Sequence, residues 1–156
     1  MKVILLFTGK TEDTYLQEGI EVYLKRLRRY IPTEIKVINE PRKKTKGFSG
    51  KVKIRESEKI KALSGNTSFL VLLDQKGKHL NSEDFAGFIE KVMNRGYKEV
   101  IFATGGAYGF TDEFLSNADS IISMSEMTFT HQMVRLILAE QLYRAMTIIN
   151  GEPYHH

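Results

Sequence analysis

The sequence predicts an α/β fold, a mostly parallel sheet with helices on both faces. Two observations carry that expectation. Mostly apolar runs at Val3–Phe7, Ser68–Leu73 and Glu99–Thr104, each closed by a polar or glycine-bearing turn, read as strands buried on both faces. Segments with apolar residues three and four apart alternate with them, the order of a parallel sheet with helical crossovers. The 156 residues are read as one domain, 1–156, able to bury a core without staples, and with no Cys there is no disulfide framework or thiolate metal site.

Taken in order, the strand Val3–Phe7 leads into Thr8-Gly9-Lys10-Thr11. A phosphate-binding loop would need Gly at position 4, where the chain has Ile, so that reading fails. Thr11 is expected to cap a helix, with Glu12 and Asp13 in its first turn and Leu16, Ile20, Tyr23, Leu24 and Leu27 on one face. Thr33–Ile38 reads as a second strand. From Asn39 to Arg55 no hydrophobic period survives among Arg42, Lys43, Lys44, Lys46, Lys51, Lys53 and Arg55, so residues 39–55 are expected to form a mobile basic loop. Glu56–Leu63 then reads as a short helix.

After Ser68–Leu73 comes a loop, Asp74 to Lys78. Ser82 is expected to cap a helix with Phe85, Phe88, Ile89 and Val92 inward, closed by Arg95-Gly96. The strand Glu99–Thr104 ends in Gly105-Gly106, a short helix spans Asp112–Asn117, and a last strand spans Ser120–Met124. Apolar residues at Met133, Val134, Ile137, Leu138, Leu142, Ala145 and Ile149 define a final helix of about five turns. Thr128 or Thr130 caps its start, and Asn150-Gly151 with Pro153 stops it. Leu136, Met146 and Ile148 widen its apolar surface, which calls for a second partner besides the sheet. The simplest is another copy of the chain.

Charge is unevenly spread. Residues 1–63 hold 16 Lys/Arg against 8 Asp/Glu, while residues 64–156 hold 7 against 11. Basic charge gathered in one half fits a polyanionic partner, although surface Lys also serves solubility. No stretch approaches a membrane span or a signal segment, so a soluble, cytoplasmic protein without a metal centre is expected.

In parallel sheets ligands sit outside the carboxyl ends of the strands. Three such ends carry unusual loops: Asp74–Lys78, Gly105–Phe110 and Met124–Phe129. Gly105-Gly106 lets the backbone approach a ligand, or simply makes a tight turn. Asp74 reads as a turn former rather than a catalyst. His131 and Arg135 share one helical face near the third loop, and Glu140 with Arg144 reads as an ordinary helix ion pair.

The run Met127-Thr-Phe-Thr-His-Gln-Met-Val-Arg135, continuing through Glu140-Gln-Leu-Tyr-Arg-Ala145 to Gly151-Glu-Pro-Tyr-His155, closely resembles the C-terminal signature of the bacterial large-subunit ribosomal RNA pseudouridine N3-methyltransferases. These are minimal SPOUT (alpha/beta-knot) methyltransferases. The resemblance implies a C-terminal trefoil knot, which general rules of chain connection would not suggest. It also implies S-adenosylmethionine as cofactor, held by Leu73, Gly105, Met124, Ser125, Glu126, Met127, Thr128 and Phe129; Met124, Met127 and Phe129 read equally as core. The implied partners are large-subunit ribosomal RNA within the ribosome and a second copy of the chain in a homodimer.

The basic loop, with Lys43, Lys44 and Lys46, is expected to track RNA phosphates. For removal of the N3 proton, His155 is the first choice and His131 the second, with Tyr154 offering a ring and a hydroxyl to the base and Arg135 a phosphate or base contact. His156 stands where the family usually has a basic residue, and the two terminal His also resemble the start of a tag. Two rivals remain open: a SPOUT methyltransferase with another RNA target, and a non-catalytic RNA-binding protein of the same fold.

Overall fold

The computed structural model describes residues 1–39 and 49–154. The five strands are β1 (Lys2–Thr8), β2 (Thr33–Ile38), β3 (Ser68–His79), β4 (Glu99–Thr104) and β5 (Ser120–Ser123). They form one sheet in the order β2-β1-β4-β3-β5, and every pairing is parallel. The helices are α1 (Thr14–Leu27), α2 (Ser49–Leu63), α3 (Ser82–Met93), α4 (Asp112–Ser116) and α5 (His131–Ile149).

Alternate residues of each strand feed two cores, as the period of a strand requires. Val3, Leu5, Phe7, Phe69, Val71, Val100 and Phe102 meet α1, α3 and α5 on one face. Ile4, Leu6, Leu70, Leu72, Ile101 and Ala103 meet Ile60, Phe114 and Leu115 of α2 and α4 on the other. On the first face α5 lies between α1 and α3. Gly19 of α1 permits the closest approach, since a Cβ there would stand 2.9 Å from Leu136 Cδ1. The wide apolar surface of α5 is therefore met largely within the chain, by two flanking helices rather than by the sheet alone.

Several local expectations need correction. Residues 49–55 belong to α2, not to a loop. The helix was hidden because the polar Glu56 and Ser57 occupy buried positions beside Val52 and Ile60, which breaks the apolar period. Thr11 does not cap α1; Asp13 stands at the N-cap without a side-chain hydrogen bond. Asn81, not Ser82, caps α3, its side chain accepting from Asp84 N at 2.7 Å. At α5 the sequence reading agrees with the structure: Thr130 accepts from Met133 N, and Gly151 takes φ +68° just beyond the helix.

The expected loop Asp74–Lys78 lies inside β3. Leu73 and Lys78 both pair with Ile122, so Asp74 to Gly77 form a bulge between them. Gly77 makes this possible, because a Cβ there would sit 2.5 Å from the carbonyl carbon of Ile122. Lys43, Lys44, Lys46, His155 and His156 fall outside the described residues. Among the described residues, no helix is long and apolar enough to cross a membrane.

Candidate active site

Three strand ends converge as the sheet requires. The β3 bulge, the loop after β4 and the loop after β5 surround two adjoining cavities that share Leu73, Asp74 and Gln75. The smaller, about 90 Å³, is walled by Ser123, Met124, Ser125, Met127, Phe129 and Val134. The larger, about 680 Å³, takes Thr104 to Asp112 as one wall, with Lys53, Lys76 and His131 around it.

Hydrogen bonds fix these walls. Asp74 Oδ1 accepts from Lys76 N at 2.9 Å, closing the bulge as a turn former does. Gln75 Nε2 donates to Thr128 Oγ1 at 3.0 Å, tying the bulge to the third loop. Within that loop Ser123 Oγ donates to Ser125 O at 2.9 Å, and Ser125 Oγ accepts from Met127 N at 2.9 Å. In the second loop Gly109 takes φ +68°, and a Cβ on Gly105 would stand 3.1 Å from Gly109 Cα. A side chain on Gly105 would thus crowd its own loop. Lys76 Nζ and Asp112 Oδ1 pair at 2.6 Å across the larger cavity. That hydrogen bond raises the Lys76 pKa and lowers that of Asp112, though both side chains stand in solvent.

Of the sequence-derived candidates, Leu73, Gly105, Met124, Ser125, Met127, Phe129 and His131 line the cavities. Glu126 and Thr128 are exposed and line neither cavity. Arg135 faces the end of β1 rather than solvent. It is 0 % exposed, stacks over the Phe7 ring at 5.0 Å, and donates to Thr8 O and to Thr11 Oγ1 at the end of β1. A side chain so placed organises the site from behind, and the expected phosphate or base contact is not available to it.

Tyr154 lines neither cavity of its own chain. Tyr154 packs edge-on against Tyr143 at 4.7 Å, lies under the Arg144 guanidinium, and points its hydroxyl at Glu140 Oε1. Glu140 stands nine positions along α5 from His131, about 14 Å of helix. Burial, a hydrogen bond with Tyr23 and the charge of Glu140 push the Tyr154 pKa up to about 12. At neutral pH it is a phenol, a hydrogen-bonding group and not a base. Glu140 does pair with Arg144, at 2.6 Å.

Residues that sequence reasoning missed are Gln75, Lys76, Lys53, Tyr108 and Asp112. Tyr108 carried a signal, an aromatic residue between Gly106 and Gly109 at a strand end. Lys53 was obscured by the loop assignment.

A parallel α/β sheet whose ligand cavities are built from three carboxyl-end loops, with an apolar recess beside a glycine turn, defines a small-ligand enzyme fold. The family model described as "Predicted SPOUT methyltransferase" matches residues 1–155, and the chain belongs to that family. The Ribosomal RNA large subunit methyltransferase H of Geobacter sulfurreducens is 47% identical over 156 residues, covering 100% of both chains. Its namesake in Geobacter metallireducens is 46% identical over 156 residues, covering 100% of this chain and 99% of that one. A solved probable methyltransferase from Bordetella pertussis superposes with a TM-score of 0.56 at 12% identity, covering 93% of this chain and 96% of that one, a likeness of fold.

Proposed function

We infer that the chain methylates N3 of a pseudouridine in large-subunit ribosomal RNA, taking the methyl group from S-adenosylmethionine and working on ribosomes in the cytoplasm as a homodimer. The observation that carries this reading is the three-loop site in a chain of matching length, 47% identical to a large-subunit rRNA methyltransferase.

The residues present fit the cofactor. The small cavity offers Leu73, Met124, Met127, Phe129 and Val134 to the apolar parts of the cofactor, while Gly105 keeps the adjoining wall free of a side chain. When bound, S-adenosylmethionine supplies an electrophilic methyl group. The chain supplies position. The cavity walls hold the acceptor in line, and alignment of this kind accounts for much of a transfer that needs no covalent enzyme intermediate.

The acceptor nitrogen carries a proton that must leave. His131, on the rim of the larger cavity, is suited to receive it because an imidazole changes charge near neutral pH. His155 of the tail is the other candidate. Its neighbour Tyr154 packs against Tyr143 and Glu140 and lines neither cavity of its own chain, so we assign the tail to the cavity of the second copy. Lys43, Lys44 and Lys46 are proposed to follow RNA phosphates.

Nucleoside mass spectrometry tests the reading. Ribosomal RNA from cells lacking the gene should lose one methylated pseudouridine, and the purified chain with S-adenosylmethionine should restore it. An identical nucleoside profile with and without the gene would refute it.

A further inference from the structure

The methyl-donor reading uses Leu73, which both cavities share, Gly105 of the larger cavity and the loop after β5 around the smaller one. Other residues of the larger cavity are left over, among them Tyr108, Phe110, Asp112, Lys53 and Lys76. Tyr108 stands out there. It sits at the tip of the loop after β4, near Gly106 and Gly109, and is 54 % exposed although it borders a cavity. A large ring left more than half exposed on a glycine turn gains little from the core of the protein. It offers a flat face to a planar ligand.

Lys53 lines the same cavity. Its ammonium group is 3.5 Å from Phe110 O, so α2 brings a cation to the base of the same loop. An aromatic face and a cation on one rim match the two parts of a nucleotide, a base that stacks and a phosphate that pairs.

We propose that Tyr108 is the platform on which the target nucleobase stacks as it enters the larger cavity, and that Lys53 holds the phosphate next to that base. The ligand is one unstacked base of an RNA strand. This rests on the reading of the chain as an RNA methyltransferase. It adds the residues that select an unpaired base. Stacking is indifferent to base identity, so Tyr108 contributes affinity, while choice of the methylated atom belongs to the deeper groups.

The test compares wild type with Tyr108→Ala, Tyr108→Phe and Lys53→Gln. Ribosomes from cells lacking the gene serve in steady-state methyl transfer, and a single-stranded oligoribonucleotide copying the modified segment serves in filter binding. Tyr108→Ala should raise both KM for ribosomes and Kd for the oligonucleotide roughly tenfold or more. S-adenosylmethionine affinity in calorimetry should stay at the wild-type value, and Tyr108→Phe should behave as wild type because the ring does the stacking. Lys53→Gln should reduce the slope of log affinity against log salt by about 0.7, the value for one single-strand phosphate contact.

Unchanged KM and Kd in Tyr108→Ala would overturn the proposal. So would an equal loss of cofactor affinity, which would place the ring over the cofactor, or a Tyr108→Phe variant as weak as Ala. A wild-type chain that transfers no methyl group to ribosomes would instead sink the methyltransferase reading, and the oligonucleotide arm would still decide the stacking claim.

Discussion

Replacing Gly77 by Ala adds one methyl group where the chain has no room for it. The new Cβ would lie 2.5 Å from Ile122 C, 2.6 Å from Ile122 N and 2.8 Å from Ile121 C. All three are backbone atoms of β5 or its edge, so no side chain can swing aside. Restoring ordinary contact requires the β3 bulge and β5 to part by about 1 Å in a close-packed interior. Overpacking of this kind costs about 1–3 kcal/mol, and the pairing of Lys78 with Ile122 would be strained as well. The functional cost is of similar size. β5 runs directly into Met124, and a shift of about 1 Å at a positioned ligand costs on the order of 10²-fold in rate. Urea unfolding should show a lower midpoint at unchanged slope, and calorimetry a loss of S-adenosylmethionine affinity. Gly87→Ala is the control: nothing lies within 4 Å of its added Cβ inside α3, so it should be neutral or stabilising by about 0.5–1 kcal/mol. A Gly77→Ala chain with wild-type midpoint and cofactor affinity would refute the argument.

Other perturbations bear on the remaining parts of the site. Gly105→Val should abolish S-adenosylmethionine binding in calorimetry with the circular dichroism spectrum retained, since even its Cβ crowds Gly109; unchanged affinity would remove this loop from the pocket. Arg135→Met should keep bulk but lose two hydrogen bonds to the end of β1, costing about 2–4 kcal/mol in denaturant unfolding, and a near-neutral result would show that the buried guanidinium organises nothing. Tyr30 donates to Glu152 at 2.6 Å, and that hydrogen bond pushes its pKa from 10.0 up to about 12. Because the folded pKa is the higher one, this contribution is fully present below pH 10 and is lost as pH rises through about 12. Glu152→Gln should return the phenolate transition toward 10, and an unaltered ultraviolet titration would deny the contact. Ending the chain after Asn150 should leave a folded, cofactor-binding protein that transfers no methyl group; turnover at the parental rate would exclude the tail from catalysis.

The centre of the sheet was legible because β1, β4 and the first half of β3 are buried on both faces and consist mostly of Val, Ile, Leu and Phe. The bounds of α5 were legible because Thr130 and Gly151 each do a job that few other residues do. The first turns of α2 were not, since a helix that buries Glu56 and Ser57 does not show an apolar stripe. Arg135 misled for the opposite reason. Charged residues are rarely buried, so its spacing from His131 suggested a shared solvent-facing role. Gly77 carried no local signal at all; the need for it comes from Ile121 and Ile122, more than forty residues further along the chain.

These two hidden residues explain how the loop after β5 is held. At its start, Gly77 lets the β3 bulge close on β5, and Gln75 reaches across to Thr128. At its end, Thr130 caps α5, Arg135 fastens the first turns of that helix to Thr8 and Thr11, and Gln132 Oε1 accepts from Glu12 N at 2.7 Å. Between the anchors the chain is exposed from Glu126 to Thr130, with Met127 74 % and Phe129 40 % accessible. Two large apolar side chains left in water between fixed ends are a reservoir of binding energy, on the order of 1 kcal/mol each when covered. A ligand that lies across the small cavity covers them, and the anchors ensure that this energy is not spent on ordering a free loop. The loop after β5 is therefore an open span between two hydrogen-bonded supports, and Gly77 and Arg135, which build those supports, line neither cavity.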